Sequence, residues 1–244
     1  MKYILIIVIV LSSFNSIIGQ TCGFGCLGLS GFYGGYSAQF YDMTTLNELL
    51  NERMEQFGFE NTNINFDTGY GARIGANIFR AKFGDYFFTA KGYYQFLKEE
   101  QSVDEIINSN SASYNSILEL DYWGVGIDFG ISLFKIIDWK IVEGGITFYR
   151  SKLENTFSIN NEIMNYEKFE EEKINVGYYV GTGLIIHLFK DYISLEGTAV
   201  YNQLDIGNMV DDDGNYLFDP ASDKSIMDKA GVTATIQLNI GVPL

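Results

Sequence analysis

Six charged residues stand where chemistry could be arranged: Asp67, Arg73, Lys91, Asp128, Glu143 and Glu196. Each occupies the polar phase of a stretch in which apolar and polar residues alternate. Carboxylates and cations gathered away from water must pair, because an isolated buried charge is strongly unfavourable. Such a set can act as a network of ion pairs and hydrogen bonds that holds an interior together. It can also line a narrow, gated path for ions. The structural network is the expectation here, with Arg73 and Lys91 neutralising several of the carboxylates.

Other reactive residues point away from catalysis. His187 is the only histidine, and it shares its phase with Asn175, Gly177, Tyr179, Gly181, Gly183, Ile185 and Phe189. Neither a Gly-x-Ser-x-Gly elbow nor a His/Cys/Glu metal spacing occurs, so neither an enzyme nor a cofactor is expected. Cys22 and Cys26, in "CGFGC", are expected to close a local disulfide. A redox pair would take Cys-x-x-Cys spacing, and zinc would need two further ligands. "DDDGNYLFD", Asp211 to Asp219, resembles a calcium loop only superficially. Its alignment puts Met209 and Pro220 at positions that need oxygen ligands. An Asp-Gly turn is expected there, with Asp211 and Asp213 left as candidates for weak cation bridging.

The elements that must position these residues are strands. Among 244 residues there are 26 Gly, 17 Tyr, 19 Phe and only 2 Pro, a composition suited to sheets. Residues 1–19 read as a secretory signal: Lys2, then the apolar run "ILIIVIVL", then Gly19 at a cleavage point. Residues 20–26 form a periplasmic lead carrying the two cysteines, and a single domain spans 27–244. Within it eight segments have strand character: Leu27–Tyr36, Ile64–Ile78, Tyr86–Phe96, Tyr122–Phe134, Trp139–Ser151, Ile174–Phe189, Tyr192–Tyr201 and Ala230–Val242. Most reach the roughly 9–11 residues that a tilted bilayer-spanning strand needs.

Which face meets which solvent follows from bulk. In Tyr122–Phe134 one phase is Trp123, Val125, Ile127, Phe129, Ile131 and Leu133. The other is Tyr122, Gly124, Gly126, Asp128, Gly130 and Ser132. A soluble barrel packs bulk inside and puts charge outside, whereas a narrow membrane barrel does the reverse. The connections also alternate. Long ones cover 37–63, 97–121, 152–173 and 202–229, and short ones centre on Arg80–Asp85, Lys135–Asp138 and Lys190–Asp191. Membrane barrels keep short turns on the periplasmic side and long loops outside. The long connections are acidic: the first sets Asp42, Glu48, Glu52, Glu55 and Glu60 against Arg53. Inside it, Thr44–Gly58 reads as a helix with a Thr45/Glu48 capping box. Its apolar stripe of Leu46, Leu49, Leu50, Met54 and Phe57 could lid the barrel mouth or lie on the membrane.

Strand count, alternation and loop order together make the chain resemble the small eight-stranded outer-membrane β-barrels of the OmpA/OmpX-like class, over Leu27–Leu244. The resemblance implies an all-β, antiparallel up-and-down transmembrane barrel in the outer membrane. Its ending "GVPL" departs from the terminal aromatic residue common in such barrels. Outer-membrane lipid and lipopolysaccharide are the expected surroundings, with an extracellular protein or surface ligand met through the loops. The net charge of -15 argues against nucleic acid. The expectation is a monomeric, non-enzymatic protein with a structural, adhesion or partner-binding role. The alternatives are a narrow pore or carrier of a small apolar ligand, and a secreted soluble barrel with its greasy face inward.

Overall fold

The computed structural model describes residues 30–60, 62–189, 192–219, 225–227 and 231–241. The signal segment and the Cys22/Cys26 pair lie outside them. Among the described residues nine strands and one helix follow in chain order: β1 (Gly31–Phe40), α1 (Thr44–Gln56), β2 (Thr68–Phe83), β3 (Tyr86–Ile107), β4 (Asn110–Phe134), β5 (Ile137–Ile159), β6 (Glu162–Glu170), β7 (Asn175–Phe189), β8 (Ile193–Gln203) and β9 (Val232–Gly241). All pairings are antiparallel. Eight strands close into the ring β1-β2-β3-β4-β5-β7-β8-β9, with β9 pairing back onto β1 from Gly31↔Gly241 to Gln39↔Thr233. The ninth, β6, stands outside the ring and pairs with the distal half of β5.

The barrel is apolar outside. Trp123, Val125, Ile127, Phe129 and Leu133 are exposed on β4, as are Val176, Tyr178, Val180, Leu184 and Ile186 on β7 and Val232, Ile236, Leu238 and Ile240 on β9. Along β4 this face runs from Trp123 to Leu133. At about 3.4 Å per residue and a tilt of roughly 40°, that is a band ~25 Å tall, the height of a membrane barrel's apolar belt. Such a surface is unfavourable in water but matched to hydrocarbon, so these strands span a membrane. Aromatics mark both borders. Tyr94, Trp123 and Phe148 lie side by side on neighbouring strands at one, and Tyr86, Phe134, Trp139, Phe189 and Tyr192 gather near the short turns.

Above the upper border the outward face changes abruptly. The row after Trp123 is Phe96, Asp121 and Arg150, and the next is Lys98, Glu119, Lys152 and Glu170. Strands β3, β4 and β5 continue past the membrane and take up β6, forming a four-stranded sheet. Here the sequence reading needs correction. The segments expected as loops at 97–121 and 152–173 are mostly strand. Each is a hairpin closed by a two-residue turn, Asn108-Ser109 (φ 49 and 68) and Asn160-Asn161 (φ 51 and 67). Two successive left-handed residues define the type I′ turn, whose twist suits a hairpin.

The apolar core lies in this projecting part. The inner face of the sheet presents Leu97, Tyr114, Leu118, Leu153, Phe157 and Phe169. Against it pack Leu46, Leu50 and Met54 of α1, fully buried, then Phe59, Ile64 and Phe66 of the following segment. From the other side come Leu204, Ile206, Met209, Leu217 and Phe218 of the β8–β9 connection. The helix therefore lids the barrel mouth. It begins at Thr44 with Met43 at its N-cap and no side-chain cap, so the Thr45/Glu48 capping box does not form. Instead Thr44 donates its hydroxyl to Asp42 Oδ1 at 2.7 Å.

Candidate functional site

The barrel lumen is filled in layers. At the short-turn end, Asp138 Oδ2 accepts from His187 Nε2 at 2.9 Å and pairs with Arg80 Nη2 at 3.3 Å. His187 is thus lumenal and close to the short turn, as its phase implied.

The next layer is the ion cluster. Lys91 Nζ lies 3.1 Å from Asp128 Oδ1 and 2.5 Å from Glu143 Oε1. Lys140 Nζ lies 2.9 Å from Asp128 Oδ2 and 2.7 Å from Glu143 Oε2, and it also pairs with Glu196. The second Glu196 oxygen accepts from Asn239 at 3.0 Å. Oxygens of the three carboxylates lie within 4.8 Å of one another, close enough to hold a metal ion. Two ammonium groups already sit among them, so the arrangement is that of an ion-pair network.

Lys140 is the member the sequence reading missed. Strict alternation cannot turn Lys140 and Glu143 inward together, since they are three residues apart. The register of β5 slips against both neighbours between these residues, and the bulge brings both side chains inside. Asp67 requires the opposite correction. It precedes β2, is exposed, and takes no part in the lumen network; its side chain accepts from Asn65 at 3.3 Å.

Above the ion cluster lies an aromatic and amide layer. The Arg73 guanidinium sits 4.3 Å over the Tyr93 ring and donates through Nε to Gln95 at 2.5 Å. Tyr93 packs edge-on against Tyr179, with centroids 5.9 Å apart. Tyr122 donates to Gln39 at 2.8 Å, and Ser37 hydrogen-bonds Thr235 at 2.8 Å. The glycines of β4 make room for these rings. A Cβ on Gly124 would lie 2.2 Å from the Tyr93 ring, and one on Gly126 would lie 2.0 Å from the Tyr179 hydroxyl. With Arg73, the ion cluster and the layer above it carry three cations, Arg73, Lys91 and Lys140, against three carboxylates, Asp128, Glu143 and Glu196, while the buried Asp138 at the short-turn end has Arg80 as its partner. The interior is electrically balanced, which makes its burial tolerable.

Two carboxylates then bind the apolar lid to the barrel. Glu99 accepts from the Tyr41 hydroxyl at 2.6 Å and from the backbone N–H groups of Asp67 and Thr68 at 3.1 and 3.0 Å. Glu171 accepts from Ser151 N and Oγ at 2.8 and 2.6 Å. Burial pushes both carboxyls above their ordinary range.

At the tip of the last long connection, Asp211 Oδ1 accepts from the backbone of Asp213 at 3.0 Å and Asn215 at 2.7 Å, with Gly214 at φ 83. This is the expected Asp-Gly turn, and the Asp211 oxygens are engaged by its own donors.

A closed ring of eight antiparallel strands, polar and packed within and apolar without, defines a transmembrane barrel of the small outer-membrane type. No family model matches the sequence, and no curated protein matches it. Several solved structures are similar to the chain at low identity. Ail, the attachment invasion locus protein of Yersinia pestis, is 11% identical over 88% of this chain and 98% of its own, with a TM-score of 0.41. Neisserial surface protein A is 12% identical over 88% and 99%, with a TM-score of 0.40. The outer membrane protease OmpT of Escherichia coli is 9% identical over 93% and 99%, with a TM-score of 0.38. Such likenesses say nothing of what this chain binds.

Proposed function

We propose that this chain is a non-conducting, non-enzymatic protein of the outer membrane that engages a partner at the cell surface through its projecting sheet. Residues 1–19 would export it and be removed. One observation carries this reading. The lumen is filled from the Asp138–His187 pair through the ion cluster and the tyrosine layer to the apolar lid, while β3, β4 and β5 continue well beyond the membrane and, with β6, form a folded surface. A pore would need an open polar path, and a carrier of apolar ligands an apolar cavity within the barrel. The ordered material is instead spent on an extramembrane domain, and surface loops held on a rigid scaffold are where binding residues concentrate.

The test begins with refolding into detergent micelles. The unheated protein should migrate differently from the heated form on a gel, and the refolded protein should leave planar bilayers silent. Discrete conductance steps would overturn the reading in favour of a pore. Folding to the same β-rich state in plain buffer would overturn the membrane assignment.

A further inference from the structure

The projecting sheet has a partly free edge along β6. Strand β6 pairs with β5 along one side. On its other side Glu170 and Val210 exchange both backbone hydrogen bonds, Glu170 N to Val210 O at 2.8 Å and Val210 N to Glu170 O at 3.0 Å. The N–H and C=O of Glu170 therefore point away from β5. With the two-residue period of a strand, those of Lys168 and Tyr166 point the same way. Continuing the Val210 register would place Asp212 opposite Lys168. The chain does not continue: the Asp211–Gly214 turn reverses it, and Val210 pairs back onto Tyr216. Among the described residues Lys168 and Tyr166 have no backbone partner on this edge. Beyond them Met164 is 60% and Ile163 66% exposed, well away from the lipid-facing rows.

We infer that this edge docks an extended, cationic segment of another polypeptide, which adds to the sheet as a further strand beside Tyr166 and Lys168. The inference rests on the partner-binding reading above and names the partner's chemistry. Main-chain groups of a sheet edge supply affinity for any extended chain, and side chains select among them. Charge makes the selection here. On β6, Glu167 is held by Arg53 and Glu170 by Lys168, which leaves Glu162, with Asp212 and Asp213 at the turn where the ladder stops, as a net negative edge. A second copy of this chain would bring the same acidic edge and a net charge of -15, so edge-to-edge self-pairing is disfavoured. A lysine- or arginine-bearing strand meets complementary charge and unpaired backbone together.

The test uses the full protein refolded in micelles and three octapeptide probes, read by fluorescence anisotropy. One alternates lysine with valine, one alternates glutamate with valine, and the third is the lysine peptide N-methylated at every second backbone nitrogen. The lysine peptide should bind at least tenfold more tightly than the other two. Lys168→Pro removes the edge N–H without touching the β5 pairing, and it should weaken that binding tenfold or more while heat-modifiable mobility is kept. Lys168→Gln keeps the backbone donor and should retain binding. Equal binding of the N-methylated peptide, or unchanged binding to Lys168→Pro, overturns the inference. So does a concentration-dependent dimer lost in Lys168→Pro, which would make a second copy the occupant. A silent bilayer together with failed peptide binding would remove this inference alone, whereas conductance would remove the function it rests on.

Discussion

Replacing Lys140 by Met should weaken the barrel more than any single change on its lipid face. The Lys140 ammonium touches three buried carboxylates, those of Asp128, Glu143 and Glu196. Its side chain is 1% exposed, so water cannot take over. Methionine fills a similar volume, and the cost is therefore electrostatic. One negative charge is left without its counterion in a neutral lumen. Removing one partner from a buried ion pair typically costs about 3–5 kcal/mol, and the three contacts place Lys140→Met in that range. The compensated variant, Lys140→Met with Glu196→Gln, restores equal numbers of cations and carboxylates and should recover most of the loss. The assay is urea unfolding in micelles, followed by tryptophan fluorescence and gel mobility, for both single variants and the double. The coupling energy between the sites should exceed ~1.5 kcal/mol. A cycle in which the two changes simply add would show that the cluster is hydrated or loosely held, and that its charges do not stabilise one another.

Three further outcomes follow from other parts of the molecule. Asn161→Val should destabilise the β5–β6 hairpin by about 1–3 kcal/mol because position 161 sits at φ 67, whereas Asn161→Gly should be tolerated; hydrogen exchange over β6 separates the two. Leu50→Ala removes a fully buried side chain from the lid and should cost about 2–5 kcal/mol there, with amide protection falling in α1 while the ring strands keep theirs. Glu99 and Glu171 titrate above the ordinary carboxylate value of 4.5. A carboxyl with a raised folded pKa holds its proton more tightly in the folded state, so its contribution is fully present below the unfolded value and is lost as pH rises through the folded one. Protection of the lid segments should therefore increase as pH falls through the raised folded values towards 4.5, and a loss of protection on that approach would contradict the assigned direction.

The ring was legible in sequence because lipid selects for bulk on a strict two-residue period, as in Trp123 to Leu133 and Val232 to Ile240. Beyond the aromatic border that selection ends. The outward phase becomes Lys98 and Glu100 on β3, Asp121 and Glu119 on β4, and Arg150 and Lys152 on β5, so a continuing strand reads as a polar loop. The dipeptides Asn108-Ser109 and Asn160-Asn161 did carry a signal, since asparagine is among the residues that tolerate left-handed turns. The missing ion-cluster member had no such marker. Lys140 faces inward only because a bulge shifts its phase, and a bulge is set by cross-strand register that sequence alone does not show. Asp67 failed for a related reason: the alternation around it runs on past the point where the strand starts, and Ile64 and Phe66 belong to the lid.

The location of the apolar core also bears on how the molecule is assembled. The lid joins residues near 46–66 to residues near 204–218, segments far apart in the chain that meet only on the distal parts of β3, β4 and β5. No collapse in water can build it early, because its platform exists only once the strands are paired across the bilayer. Both segments can close over the mouth only after that sheet has paired. Once closed, the packed lid caps a ring of eight strands filled by its own side chains. Closing the lid thus works as a catch: the lid must unfold before the ring beneath it can open from that end.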